Sequence, residues 1–517
     1  MEKTMRAEGR TNIQNSIGRL VISALSFLIQ ISWLCFIGIK LKNYSLAINL
    51  CTSFIALILA IWVFNRRDTN SNFKMPWILL ILAFPILGIC LFVIFGHKYS
   101  MKARMKMEQL HKDCAEVISE DKKTFDTFEI SDKGVLNQFR YLRDVEGFPV
   151  YQDTDIEFYG EASEAYSKLI EDVEGAHSFI YLEYFAVQCS TAFMKLYKVL
   201  LKKISEGVEV RLLYDDVGSI GFVNDNFAKR LEEKGIRCRS FNKVSPAFRL
   251  YMNNRDHRKI AVIDGKVAYT GGFNIADEYF NITHPYGHWK DTGVRLEGKA
   301  VNSLLCMFLE MWNSTEKEIE DIGRYKNIDY CHMKADGFVL PYADSPLDDS
   351  RIGENVYMNL ITNAKESVFI TTPYLVISDE MLRTLQMAAQ RGVDVRIVTP
   401  GIPDKKVTYK LTRSYYYALM SHGVKIYEYT PGFIHCKQVV ADGELAIVGT
   451  INLDYRSLFL HFENAVLMYR TKAVEQIKED FINLFEISKQ VNPKDYSKNT
   501  WGKRITGAVL RLIAPLI

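Results

Sequence analysis

Nine cysteines are scattered over 517 residues with no C-x-x-C pair among them, which indicates neither a disulfide framework nor a zinc site. Net charge is nearly absent: 64 Lys and Arg against 61 Asp and Glu leave +3, so the total says little about partners and the distribution says more. Charge is missing from the interiors of three apolar stretches, Leu20 to Ile39, Leu46 to Phe64 and Trp77 to Phe95. Each is close to the roughly twenty residues that cross a bilayer as a helix, and lipid tolerates the Pro85 and Gly88 of the third. The first lacks a small-residue cleavage pattern, which argues against a signal peptide. The expectation is a membrane anchor over residues 1–100 with three transmembrane helices (20–39, 46–64, 77–95) in a multi-pass protein of the cell membrane. Basic residues flank every end, so the positive-inside rule assigns no side, while the cluster Lys98 to Lys106 favours an anionic lipid surface.

What the chain does have, it has twice. His257 to Asn274 reads H-R-K-I-A-V-I-D-G-K-V-A-Y-T-G-G-F-N, and His435 to Asn452 reads H-C-K-Q-V-V-A-D-G-E-L-A-I-V-G-T-I-N. Strand alternation puts His257 and Lys259 on one face with Arg258 turned away, and likewise His435 and Lys437 with Cys436 turned away. Asp-Gly is a strong hairpin signal, so each copy reads as a β-hairpin that presents His, Lys and Asn to one point. Two copies supply two imidazoles, two ammoniums and two amides, a set suited to a phosphodiester. One His attacks phosphorus, the other protonates the leaving oxygen, and Lys259, Lys437, Asn274 and Asn452 hold the phosphate oxygens. The arrangement requires no metal. Cys436 has no counterpart at Arg258, which argues against thiol catalysis.

These residues resemble the HKD motifs of the phospholipase D superfamily, and within it the chain is similar to bacterial cardiolipin synthases. The resemblance extends to Tyr181-Leu-Glu-Tyr184, Val210 to Ser219, Trp289-Lys-Asp291 and Gly449 to Ser457, and covers roughly residue 75 onward. It implies two α/β sandwich domains packed about a pseudo-two-fold axis with both motifs in one cleft. It also places Asp264 and Asp442 with His257, Lys259, His435 and Lys437 in the catalytic set, although an aspartate heading an Asp-Gly turn is suited to capping backbone. The motifs are alike enough for either His to be the nucleophile; family habit assigns His257. Asp291 and Glu463, just downstream of the hairpins, are the expected partners that orient the imidazoles.

Alternating strands and helices repeat in each half at an offset of about 178 to 188 residues, a domain repeat of α/β class. The expected division is a connector over 101–150, a first phospholipase D-like domain over 151–325, a second over 326–490, and an amphipathic segment over 491–517 that suits an interfacial or a docked helix. Lys405, Lys406, Lys410 and Arg413 read either as a solvated helix face or as an approach surface for lipid phosphate. The resemblance implies phosphatidyl transfer between two phosphatidylglycerol molecules at an anionic bilayer, giving cardiolipin and glycerol without a cofactor. Nucleic acid is not an expected partner, since three apolar stretches have no place in a nuclease.

Overall fold

The computed structural model describes residues 46–497 except 67–70, 96–100, 119–131, 225, 244–252, 317–318, 327, 329 and 331–334, together with isolated positions between 21 and 40 and between 507 and 514. The first half holds a seven-stranded mixed sheet of β1 (Thr154–Tyr159), β2 (Phe179–Tyr184), β3 (Glu209–Asp215), β4 (Arg237–Phe241), β5 (Lys259–Ile263), β6 (Val267–Gly271) and β7 (Gly293–Gly298), in the order β1-β7-β6-β5-β2-β3-β4. The second half holds β8 (Phe338–Asp344), β9 (Ser367–Thr371), β10 (Asp394–Pro400), β11 (Lys425–Tyr429), β12 (Gln438–Ala441), β13 (Leu445–Gly449) and β14 (His461–Tyr469) in the same spatial order, β8-β14-β13-β12-β9-β10-β11. Ser488–Gln490 extends the β11 edge.

Both repeated stretches fold as antiparallel hairpins, β5–β6 and β12–β13. The turns are copies of each other: Asp264 and Asp442 both have φ 54°, Gly265 and Gly443 both 68°. Positive φ at successive residues is what Asp-Gly accommodates.

One apolar core runs across both halves, with the helix Val301–Thr315 inside it. That helix is buried along most of its length, polar Ser303 and Asn313 included. Its one carboxylate, Glu310, meets His111 at 2.8 Å. A second core lies under the helices Ala162–Glu174 and Thr191–Ser205 on the other face of the first sheet. The stretch expected as a connector is built into this body. Helix Met101–Val117 buries Leu110 and places Cys114 in the shared core, and Gln138 of helix Lys133–Arg140 donates to Val356 O at 3.2 Å.

The N-terminal helices depart from expectation. Among the described residues no helix is long and apolar enough to cross a membrane. Half of the stretch 20–39 lies outside the described residues. Leu46–Asn65 is one 20-residue helix, of which the side chains at 47–49 lie outside them. The third stretch is not one span: helices Ser71–Ala83 and Pro85–Phe95 meet at Phe84, because Pro85 cannot donate to the helix ladder. They fold closely enough that a Cβ on Gly88 would lie 2.5 Å from Ile81 Cα. Large apolar side chains remain exposed on these helices, among them Phe54, Ile58, Phe64, Phe84 and Val93. The Ser71–Ala83 helix also docks on the second half, where the Phe73 ring meets Tyr455 at 5.7 Å and Phe459 at 5.5 Å and Asn72 donates to the Tyr455 hydroxyl.

Candidate active site

Two short parallel pairings bind the halves together at the motifs. Arg255 and Asp256 pair with His461 and Phe462, and His288 to Lys290 pair with Gly432 to Ile434. As each strand ends, the next backbone N–H continues the exchange: His257 donates to Phe462 O at 2.9 Å and His435 to Lys290 O at 2.8 Å. The residue after each acceptor is a carboxylate, Glu463 or Asp291. Each imidazole therefore enters the cleft beside the carboxylate of the opposite half.

The side chains complete that crossing. His257 Nδ1 lies 2.9 Å from both Glu463 oxygens, and His435 Nδ1 lies 2.6 Å from Asp291 Oδ2. With the Nδ1 proton directed at a carboxylate, Nε2 carries the lone pair, which at His435 lies 3.0 Å from Lys437 Nζ. The Ser457 hydroxyl donates to Glu463 at 2.6 Å, and that of Thr450 donates to its other oxygen. Asp291 is accommodated differently: a Cβ on Gly272 would lie 2.0 Å from its Oδ1. Thr450 and Gly272 occupy equivalent positions of the two motifs. Lys259 and Lys437 each donate to the backbone carbonyl of their own motif histidine.

All four cationic or titratable motif groups are buried. Burial, with Lys259, Lys437 and His435 nearby, holds His257 well below the ordinary imidazole range. Burial and Lys437 lower His435 to about 4 despite Asp291. Burial brings Lys259 down to about 7 and Lys437 to about 8. Burial alone would raise the Asp291 carboxyl, yet His435 and Lys437 hold it below the usual range. Such a cluster of depressed cations is relieved by an anion placed among them.

Not every expected residue reaches this point. Asp264 and Asp442 sit at the far end of their hairpins and are corrected from catalytic to structural. Asp264 accepts the N–H groups of His177, Ser178 and Phe179 at 2.7 to 2.9 Å, and Asp442 those of Lys365, Glu366 and Ser367 at 2.7 to 3.0 Å. Each clamps the turn that leads into β2 or β9. Asn274 is buried with its amide engaged, accepting from Ala186 N at 3.0 Å and donating to the Tyr279 hydroxyl at 2.8 Å. Asn452 keeps a buried Oδ1 with no partner among the described residues. Burial pushes the Cys436 thiol up to about 12, which keeps it protonated. Lys405 lies over the Tyr374 ring at 5.1 Å and is among the charges that depress His257, so it borders the cleft. At the other end of the chain, Arg511 stacks on Tyr415 at 4.9 Å and Ala514 is buried, a docked arrangement.

Other site residues were not anticipated from the chain. His461 lies with its ring 5.4 Å from that of His257, and Trp289 lies 5.3 Å from His435, joined there by Tyr279 at 5.4 Å. His461 and Trp289 each stand two residues before an orienting carboxylate, the signal that would have found them. Strand alternation puts residues i and i+2 on one face. His257, His461 and Glu463 are also the described residues grouped closely enough to hold a metal ion.

Two half-sites, each with a histidine whose orienting carboxylate comes from the other half, define a phosphodiester-processing enzyme of the phospholipase D superfamily. Residues 169–312 and 357–485 match the family described as cardiolipin synthase, PLD-like domain, and 54–97 match the phospholipase D-nuclease N-terminal family. The chain belongs to the cardiolipin synthase-like family of that superfamily. A cardiolipin synthase of Halalkalibacterium halodurans is 32% identical over 96% of this chain and 98% of its own length. An uncharacterized protein of Streptococcus mutans is 41% identical over 88% of this chain and 98% of its own. The crystal structure of a phosphatidylserine synthase from Haemophilus influenzae shares the fold, with a TM-score of 0.53 at 15% identity over 73% of this chain and 97% of that one.

Proposed function

We propose that the protein is a cardiolipin synthase that moves a phosphatidyl group between two phosphatidylglycerol molecules. The observation that carries this reading is the pair of His–carboxylate contacts crossing between the halves, 2.9 Å at His257 and 2.6 Å at His435, around buried Lys259 and Lys437. His257 Nε2 attacks phosphorus as the bond to the head-group glycerol breaks, and the departing oxygen takes a proton from His435. A hydroxyl of a second phosphatidylglycerol then gives its proton to His435 and attacks the phosphatidyl-histidine, forming cardiolipin and freeing His257. One phosphodiester is broken and one made, so the exchange is close to thermoneutral and needs no nucleotide.

The burial that keeps His257 neutral suits a nucleophile. His435 must carry a proton to act as the acid, and a phosphodiester anion in the cleft supplies the charge that raises it, with Asp291 already in place. Lys259, Lys437 and Asn452 are the groups we assign to the non-bridging oxygens. The exposed apolar side chains of helices 46–95 support attachment to the bacterial cell membrane, where lipid hydroxyls are concentrated and favour transfer over hydrolysis.

The test is full-length protein with head-group-labelled phosphatidylglycerol in mixed micelles. Cardiolipin with one labelled glycerol released per turnover is the expected result. Phosphatidic acid as the main product would replace the reading with a hydrolytic phospholipase D, and no turnover would remove it.

A further inference from the structure

His461 is a buried titratable side chain that the mechanism leaves unused. His461 is 8% exposed, faces the cleft, and has neither Nδ1 nor Nε2 hydrogen bonded among the described residues. An imidazole desolvated in this way loses the hydrogen bonds water would supply unless a ligand makes them good. Its surroundings define that ligand. His461 Nδ1 is 3.6 Å from Glu463 Oε1, and one donor atom from each of His257, His461 and Glu463 falls within 4.8 Å of the others.

We propose that His257, His461 and Glu463 form a binding site for a zinc-class divalent transition-metal ion, and that its occupancy switches the enzyme off. Two imidazoles and a carboxylate with a fourth position open to a cleft are a donor set that zinc and its neighbours favour, while magnesium and calcium prefer oxygen alone. The carboxylate is already oriented by the hydroxyls of Ser457 and Thr450, as the outer partners of metal ligands are. His461 and Glu463 share one face of β14, so a ligand pair is built into a single strand.

The inhibition follows from where the His257 proton goes. A metal on Nδ1 takes the place of the proton now directed at Glu463, and the ring's proton moves to Nε2, covering the lone pair that attacks phosphorus. A metal on Nε2 occupies that lone pair directly. Neither route needs an oxidant or a further reactant. The consequence for turnover rests on the proposed part of His257 in phosphatidyl transfer; the binding itself does not.

Chelator-treated full-length protein titrated with Co2+ reads the site without substrate. The wild type is expected to show a visible d–d band that saturates with one more Co2+ than His461→Ala binds, and to lose it to added Zn2+. His257→Ala should lose the same band whether or not it is active. In turnover assays His461→Ala should need at least about tenfold more Zn2+ for half-inhibition than the wild type. Equal Co2+ binding by wild type and both variants would overturn the site. A normal band with turnover insensitive to Zn2+ would overturn the switch and leave the binding site standing.

Discussion

Glu463 reaches back across 206 residues of chain to place both carboxylate oxygens 2.9 Å from Nδ1 of His257. Asp291 reaches forward across 144 residues to place Oδ2 2.6 Å from Nδ1 of His435. Neither half is therefore complete by itself, and the active site exists only where the two sheets meet. That dependence leads to outcomes that can be measured one residue at a time.

Glu463→Gln keeps the shape of the side chain and removes the charge that fixes the His257 tautomer. Turnover should fall by roughly 10²- to 10⁴-fold while thermal unfolding changes little. Thr450→Val with Ser457→Ala, which frees the same carboxylate to turn, should cost roughly 10- to 100-fold. Initial rates of cardiolipin formation check both, and unaltered rates in Glu463→Gln would dismiss the orienting role.

Gly272→Ala places a methyl group where Asp291 Oδ1 now sits, 2.0 Å from the new Cβ. Because the carboxylate must move off His435, kcat should drop by an order of magnitude or more. Gly392→Ala is the control: nothing lies within 4 Å of its Cβ, and its φ of +98° costs only backbone strain. That variant should lose about 1 kcal/mol of stability and keep its kcat. Equal kcat values for the two would contradict the steric argument.

Asp264→Ala and Asp442→Ala each remove the acceptor for three backbone N–H groups remote from the imidazoles. The expected cost is about 1–3 kcal/mol of folding stability, seen as a lower denaturation midpoint. The rate per folded molecule should stay near that of the wild type; a large fall in kcat with normal stability would return these residues to the chemistry.

The pH dependence follows from the two lysines. Burial depresses Lys259 to about 7 and Lys437 to about 8, so in the free enzyme the ammonium forms are present below those values and are lost as pH rises through them. The kcat/KM for phosphatidylglycerol, which reports the free enzyme, should therefore decline between about pH 7 and 8. The decline in kcat should come at higher pH, since bound phosphate favours the charged lysines. A kcat/KM profile flat to pH 9 would rule this account out.

Phe73→Ala removes the ring that packs on Tyr455 and Phe459, the helix that also carries Ser457 and its bond to Glu463. A coupling of about 0.5–2 kcal/mol would lower kcat roughly 2- to 30-fold. Vesicle co-sedimentation should be unchanged, because the exposed apolar faces are untouched. Loss of sedimentation together with activity would show that Phe73 serves attachment alone.

Much of this was legible along the chain because its causes are local. The repeated His-x-Lys, the Asp-Gly turns and strands such as Ser367–Thr371 rest on neighbours a few residues apart, and they appear in the structure where alternation and turn chemistry put them. The helix Val301–Thr315 was harder to read, because its polar Ser303, Glu310 and Asn313 are buried along with its apolar residues. Pro85 was in plain view, yet an apolar run that suits a membrane span in composition folds as two helices of 13 and 11 residues.

The sequence alone determined that there are two motif hairpins, what groups they carry, and that a carboxylate follows each, since those are properties of spacing. Only the tertiary structure decided which carboxylate serves which histidine, that Asp264 and Asp442 face backbone instead of substrate, and that His461 stands beside His257. Those outcomes depend on strands from opposite halves pairing at Phe462 and Lys290. A contact between residues 144 or 206 positions apart leaves no trace in the periodicity of either partner.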